Sequence, residues 1–244
     1  MKVTIIGYWG GFPAANEASS GYLFEHDGFR LLVDCGSGVL SQLQNYVQLK
    51  DIDAVILSHY HHDHIADIGP LQYARLISTY LHKETSVLPI YGHHDDEGGF
   101  DQLQYKDITK AIVYQADDTL QIGPFSLSFM KTKHPAVCYA MKIEVGNYSV
   151  VYTADSSYMD EFIHFSMNAD LLLCECNLYG DQDGSKMGHM TSVEAGKIAH
   201  EANVKQLILT HLPHYGEHTI LKDQASTLFS GPIALASSGF TWEK

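Results

Sequence analysis

The chain of 244 residues carries 15 Lys+Arg against 29 Asp+Glu, a formal net charge of −14, with 45% hydrophobic and 18% charged residues. That length buries a sizeable core without staples, and one domain over residues 1–244 is the expectation. The acidic balance excludes a broad surface for long nucleic acids, which need Lys and Arg facing phosphates, and no apolar run approaches the roughly 18 residues of a membrane span.

Residues 1–7 enter directly as a strand, with no charged and apolar leader ahead, so no export address is expected. Apolar alternation at 2–7, 20–26 and 29–34 predicts antiparallel strands, broken by Gly10-Gly11-Phe12-Pro13 and by the hairpin signal Asp27-Gly28. Val39, Leu40, Leu43, Tyr46 and Val47 fall at helical spacing, and the apolar run 53–57 reads as a strand. A helix is predicted over 67–81, a short strand over 88–91 and a polar, Gly-rich loop over 92–100. Strands follow at 111–116, 125–131, 137–145 and 148–153. Helix and strand then alternate: helix 160–166, strand 170–175, helix 191–203, strand 206–210, helix 219–228 and strand 232–236. Two mixed halves, each strands followed by helices, predict two sheets packed face to face with helices outside. Cys35, Cys138, Cys174 and Cys176 are too scattered for a disulfide framework and read as reduced thiols of a cytoplasmic protein.

Directly after the strand at 53–57 stands the run Ser58-His59-Tyr60-His61-His62-Asp63-His64-Ile65. Its His59, His61, Asp63 and His64 put four nitrogen and oxygen donors of a zinc-type site at a strand end, where a rigid sheet can aim them at one point. The pattern predicts a metal-dependent hydrolase. A two-ion centre needs further ligands, and His134, Asp155 and His211 each follow an apolar strand in the same way. Asp34, Ser58 and Glu175 are candidates for orienting the ligands, Glu175 equally for capping a loop. His62 reads as a bystander, and His93, His94, Asp95 and Asp96 as a solvated loop that no strand places. His26, His82, His164, His200, His214 and His218 read as ordinary histidines, with His214 and Tyr215 nearest the pocket. Tyr8 and Trp9 are either core or an aromatic lining of the substrate cleft that could stack on a base.

The order H-x-H-x-D-H, lone His, Asp after a strand, late His after a strand resembles the metallo-β-lactamase superfamily over essentially the whole chain. The resemblance implies an α/β (α+β) fold, a single-domain four-layer αββα sandwich. It implies that His59, His61 and His134 hold one ion, Asp63, His64 and His211 the other, and that Asp155 bridges them. The ions would be two Zn2+, although Mn2+ or Fe also suit such donors. Residues 5–13, the segment Ala-Asp-Leu-Leu-Leu-Cys-Glu-Cys-Asn at 169–177 and Gly-His-Met-Thr-Ser-Val-Glu-Ala-Gly at 188–196 are similar to the ribonuclease Z and cyclic-nucleotide phosphodiesterase branch. That likeness assigns His189 as a catalytic residue, a proton donor or a phosphate contact. The tRNA-processing members carry a tRNA-gripping arm between the lone His and the bridging Asp, whereas only twenty residues separate His134 from Asp155 here. Their acidic-strand motif also begins with His where this chain has Cys174.

The resulting expectation is a binuclear phosphodiesterase on a small anionic diester of cyclic-nucleotide type, attacked by a hydroxide bridging the metals. Asp63 would serve as ligand and proton acceptor, with Tyr8, Trp9 and His214 touching substrate. A thioester, lactone or sulfate-ester hydrolase of the same superfamily, and a non-enzymatic metal-bound effector, are the alternatives. Family resemblance further implies a homodimer.

Overall fold

In chain order the elements are β1 (Lys2–Gly7), β2 (Gly21–His26), β3 (Phe29–Val33), α1 (Val39–Leu43), β4 (Ala54–Ile56), α2 (His62–Ile65), α3 (Ile68–Tyr80), β5 (Leu88–His93), α4 (Glu97–Asp101) and β6 (Thr109–Tyr114). There follow β7 (Thr119–Ile122), β8 (Phe125–Lys131), β9 (Tyr139–Val145), β10 (Tyr148–Tyr152), α5 (Glu161–Phe165), β11 (Leu171–Glu175), α6 (Ser192–Glu201), β12 (Leu207–Thr210), α7 (His218–Ser226), β13 (Ile233–Leu235) and β14 (Thr241–Glu243). This computed structural model describes residues 1–81 and 86–244, so His82 lies outside the described residues. Among those described, no helix is long and apolar enough to cross a membrane.

The chain divides into two compact units, the first comprising Met1–Gln115, Ile122–Pro124 and Ser237–Lys244, the second Ala116–Gln121 and Phe125–Ala236. The first is built on a seven-stranded sheet of order β14-β1-β2-β3-β4-β5-β6. Its β1, β2 and β3 pair antiparallel, as the Asp27-Gly28 turn requires, while β3, β4, β5 and β6 run parallel. Leu23, Leu32, Val55, Leu57, Leu88 and Ile90 share one core cluster with Val39 and Leu43 of α1 and with Ile68 and Leu71 of α3. The intervening Phe24, Leu31, Val33, Ala54 and Ile56 are just as buried. Strands buried on both faces read as continuous apolar runs, and this is why 53–57 shows no alternation.

The second unit's sheet has the order β13-β12-β11-β10-β9-β8-β7. Its β8, β9 and β10 pair antiparallel, and β10, β11, β12 and β13 parallel. Helix α6 packs on β11 and β12, and α7 on α6 and β13. A full capping box starts α6, with the Thr191 side chain accepting from Glu194 N and Glu194 reaching back to Thr191 N.

Most elements lie within a few residues of the sequence expectation. The helix at 39–47 closes early, at Leu43, α4 (Glu97–Asp101) begins inside the expected loop of 92–100 where Asp96 caps it, and β7, α2 and β14 carry no readable periodicity. In each unit the ends of parallel strands converge, and in open α/β sheets such carboxyl ends are where ligands bind.

Candidate metal centre

In the first unit, one short turn carries the donors. His59 follows β4, His61 is the residue before α2, and the single turn of α2 turns Asp63 and His64 inward to buried positions. The His59 ring lies 4.1 Å from that of His64 and 4.8 Å from that of His61, centroid to centroid. His64 Nε2 is 3.7 Å from Asp63 Oδ2. Behind the turn sits Asp34, fully buried at the end of β3 with a left-handed φ of 58°. Its carboxylate accepts from Ser58 N at 2.7 Å and Ser58 Oγ at 2.8 Å, and lies 2.8 Å from His64 Nδ1. A carboxylate only accepts, so Nδ1 carries the proton and Nε2 of His64 is left as the donor atom for a metal. Asp63 is fixed from the other side: Gly11 N donates to its Oδ2 at 2.7 Å.

The backbone of this turn is clamped too. Cys35 N donates to His64 O and Ser20 N to Asp63 O. Gly36 is where the clamp needs glycine, because a Cβ there would meet Asp63 O at 1.9 Å.

In the second unit the donors come from separate strand ends. β8 and β10 are both antiparallel to β9 and so point the same way, which sends His134 and Asp155 to one end of the sheet. His211 follows β12 at that end. Both late positions need unusual backbone: Ala154 and His211 have φ of 50° and 54°. A left-handed non-glycine residue costs about 1–2 kcal/mol, and such strain gathers where a side chain must be aimed. His211 Nε2 lies 3.4 Å and His134 Nε2 3.9 Å from Asp155 Oδ2. His134 Nδ1 donates to Gly188 O at 2.9 Å, which again reserves Nε2. Gly188 has φ +80°, and a Cβ on it would stand 2.7 Å from His134 Nδ1.

Asp155, Glu175, His189 and His211 offer donor atoms that lie within 4.8 Å of one another. Glu175 is nevertheless committed. Fully buried, it accepts from the backbone N–H of Ser156, Asn177 and Met190, and its Oε1 is 2.9 Å from His189 Nδ1. Four donors occupy the roughly four lone-pair sites of a carboxylate, so Glu175 serves as the orienting group and not as a ligand. The His189 side chain is 20% exposed, its ring 5.2 Å from that of His211 and 5.4 Å from that of His134.

The remaining sequence candidates separate clearly. Tyr8 is buried and its hydroxyl donates to Glu17 Oε2 at 2.7 Å; Trp9 Nε1 donates to the same oxygen, and the two rings stack at 5.2 Å. His214 sits in an exposed segment three residues past His211, and His62 is exposed. One reading is corrected: β5 extends to His93, which is buried against the Tyr60 ring at 4.5 Å, so a strand does place it. Asp96 beside it caps α4 by accepting from Gly99 N. All four cysteines are free and buried, and burial pushes the thiols of Cys35, Cys174 and Cys176 up. What the sequence did not signal is backbone work: the Gly11 amide on Asp63 and the Gly188 carbonyl on His134.

The sequence itself matches a known family. A profile described as beta-lactamase superfamily domain matches residues 29–212, and the chain belongs to that superfamily. It is 59% identical over 243 residues to the Bacillus subtilis (strain 168) probable metallo-hydrolase YhfI, covering 100% of both chains. The crystal structure of the metallo-β-lactamase fold protein YhfI superposes with a TM-score of 0.99 at 60% identity, covering 100% of this chain and 99% of that one. Human tRNase Z, short form, shares the fold at TM-score 0.77 and 20% identity over 100% of this chain and 99% of that chain. Yeast PDE1 does so at 0.71 and 13%, over 98% of each.

Proposed function

We propose that the chain is a binuclear metal-dependent hydrolase whose substrate is a small phosphodiester of cyclic-nucleotide type. The observation that carries the reading is His189: an imidazole with Nδ1 locked on buried Glu175 and its ring beside His134 and His211. The metal assignment rests on superfamily membership and on donor chemistry. His59, His61 and His134 would hold one ion and Asp63, His64 and His211 the other, Asp155 would serve both, and residues 1–244 would act as one hydrolase domain. The residues fit such ions, because His64 and His134 each have Nδ1 engaged and Nε2 available. When bound, two divalent ions, zinc by donor type with Mn2+ or Fe also suited, polarise a phosphoryl oxygen and bring water's ionisation toward neutrality.

The chain's own residues then divide the proton work. Asp63, held by the Gly11 amide, orients and accepts from the attacking water. His189 gives a proton to the departing alkoxide, the role an imidazole suits because its ordinary pKa lies near neutrality. Glu175 keeps that imidazole in one orientation. One P–O bond forms and one breaks, so a cyclic diester opens to a single monoester that carries the freed hydroxyl. Tyr8 and Trp9 shape the first loop and His214 the late one at the substrate's edge. The chain works in the cytoplasm, where four buried free thiols stay reduced, and it takes neither long nucleic acid nor membrane as partner. A homodimer is the assembly to look for.

The test is turnover of bis(p-nitrophenyl) phosphate beside ester, thioester, lactone and sulfate-ester panels, for metal-loaded wild type and His189→Ala. Diester turnover lost in the variant supports the reading. Thioester or lactone turnover with diesters untouched overturns it, and no turnover at full metal content makes the protein an effector.

A further inference from the structure

Strand β4 ends at Ile56 while its neighbour β5 runs on to His93, so the sheet loses a strand where the donor turn begins. The last backbone link between the two is Leu57 N donating to Tyr91 O at 3.0 Å. Carbonyls two residues apart on a strand point the same way, so that of His93 is the next to face the side that β4 has left. A side chain meets it there. Tyr60 Oη donates to His93 O, and the two rings lie 4.5 Å apart. The hydroxyl supplies a rung that the departing backbone does not.

Two glycines make room for that ring. A Cβ on Gly92 of β5 would collide with Tyr60 Oη, and one on Gly99 of α4 with Tyr60 Cγ and Cδ2. Neither glycine has a positive φ, so backbone conformation does not call for it. Gly98, next door in the same helix, is the contrast: a Cβ there meets only Asp96 Oδ1, at 3.7 Å. Helix α4 is itself fixed, since Asp96 caps it by accepting from Gly99 N at 3.0 Å. The start of the segment is held as well, by Tyr114 Oη donating to Leu57 O at 2.7 Å.

We propose, resting on the metal reading above, that Tyr60 is the positioning residue of the ligand pair His59 and His61, anchored by its hydroxyl to β5 and by its ring against α4. It stands between the two histidines in the chain, and consecutive Cα atoms are only about 3.8 Å apart. A ring held at both its tip and its face therefore limits where either neighbour can swing. Groups that orient ligands without touching the metal commonly govern its affinity by about 10- to 100-fold. On this reading Gly99, 39 residues along the chain and not a donor, controls metal binding through the space it leaves.

Two readouts on the full chain test this: zinc affinity by chelator competition, and the melting temperature of the metal-free protein. Tyr60→Ala should weaken zinc about 10- to 100-fold, and Tyr60→Phe, which keeps the ring, by less. Alanine suits a helix better than glycine, so Gly98→Ala should hold or raise the melting temperature and bind zinc within about twofold of wild type. Gly99→Ala should instead lower the melting temperature and weaken zinc. If Tyr60→Ala does not fold, the two glycine variants decide. Lost stability with wild-type zinc affinity in Tyr60→Ala or Gly99→Ala, or equal effects of Gly98→Ala and Gly99→Ala, overturns the positioning role alone. A wild-type chain that takes up no zinc overturns the metal reading and this role with it, while diester turnover tests the substrate reading separately.

Discussion

The two units place their candidate donor residues in opposite ways. In the first unit four donors lie within six residues, His59 to His64, His59 and His61 on the segment after β4 and Asp63 and His64 on a single turn of helix. In the second, His134, Asp155 and His211 come from three strand ends, and two of them depend on left-handed backbone at Ala154 and His211. The local solution needs clamps on its backbone, from Ser20, Cys35 and Gly36. The dispersed one needs a correct sheet, strain stored at the strand ends, and a glycine at 188. Strand-end placement also frees the second unit to carry His189 and Glu175, which are not needed as ligands. On the proposed reading, both units carry ligand residues and the proton donor lies in the second.

Substitutions can break or sharpen this division. The largest effect is expected from Asp155→Ala, which should cost turnover on the order of 10³-fold through several kcal/mol of lost charge stabilisation. Elemental analysis should show metal lost with it, and full retention of both ions would refute the bridging role. Next comes His189→Ala, with a kcat loss of about 10²- to 10⁴-fold and unchanged metal content. If metal falls as well, His189 is a ligand and the division collapses.

Asp34→Asn and Glu175→Gln probe the two orienting carboxylates, each expected to cost about 10- to 100-fold. The loss should fall on metal affinity for Asp34, behind a ligand, and on kcat with metal retained for Glu175, behind the proton donor. The same readout moving in both variants would erase the contrast. The smallest effect is Ala154→Gly: relief of the left-handed residue should stabilise by about 1 kcal/mol, raising Tm by about 2–4 °C. A lower Tm in calorimetry would mean that the strain at this strand end is illusory.

Legibility in the sequence followed the same line. The His59–His64 run announced itself because its spacing is short and its preceding strand is apolar on both faces. His134, Asp155 and His211 were readable only as ligand-type residues after apolar strands, and it was the order of the whole set, through family resemblance, that joined them. His93 was assigned to a loop because Gly92 and the polar residues after it hide the end of β5, whose pairing with β6 extends to His93↔Tyr114. β14 is invisible in the sequence since its three residues are held by pairing with β1, 239 residues away at Val3↔Trp242.

By itself, then, the sequence determined the periodicities, the turn residues and the donor chemistry, because these depend on neighbours a few bonds or one helical turn away. Tertiary structure decided which atom of each donor is presented. Asp34 sets the nitrogen that His64 offers, Gly188 O does so for His134, Glu175 orients His189, and Gly11 N fixes Asp63. Each of these partners lies 14 to 54 residues from the group it orients. Hydrogen bonds over such separations exist only after sheets have formed, and no local pattern encodes them.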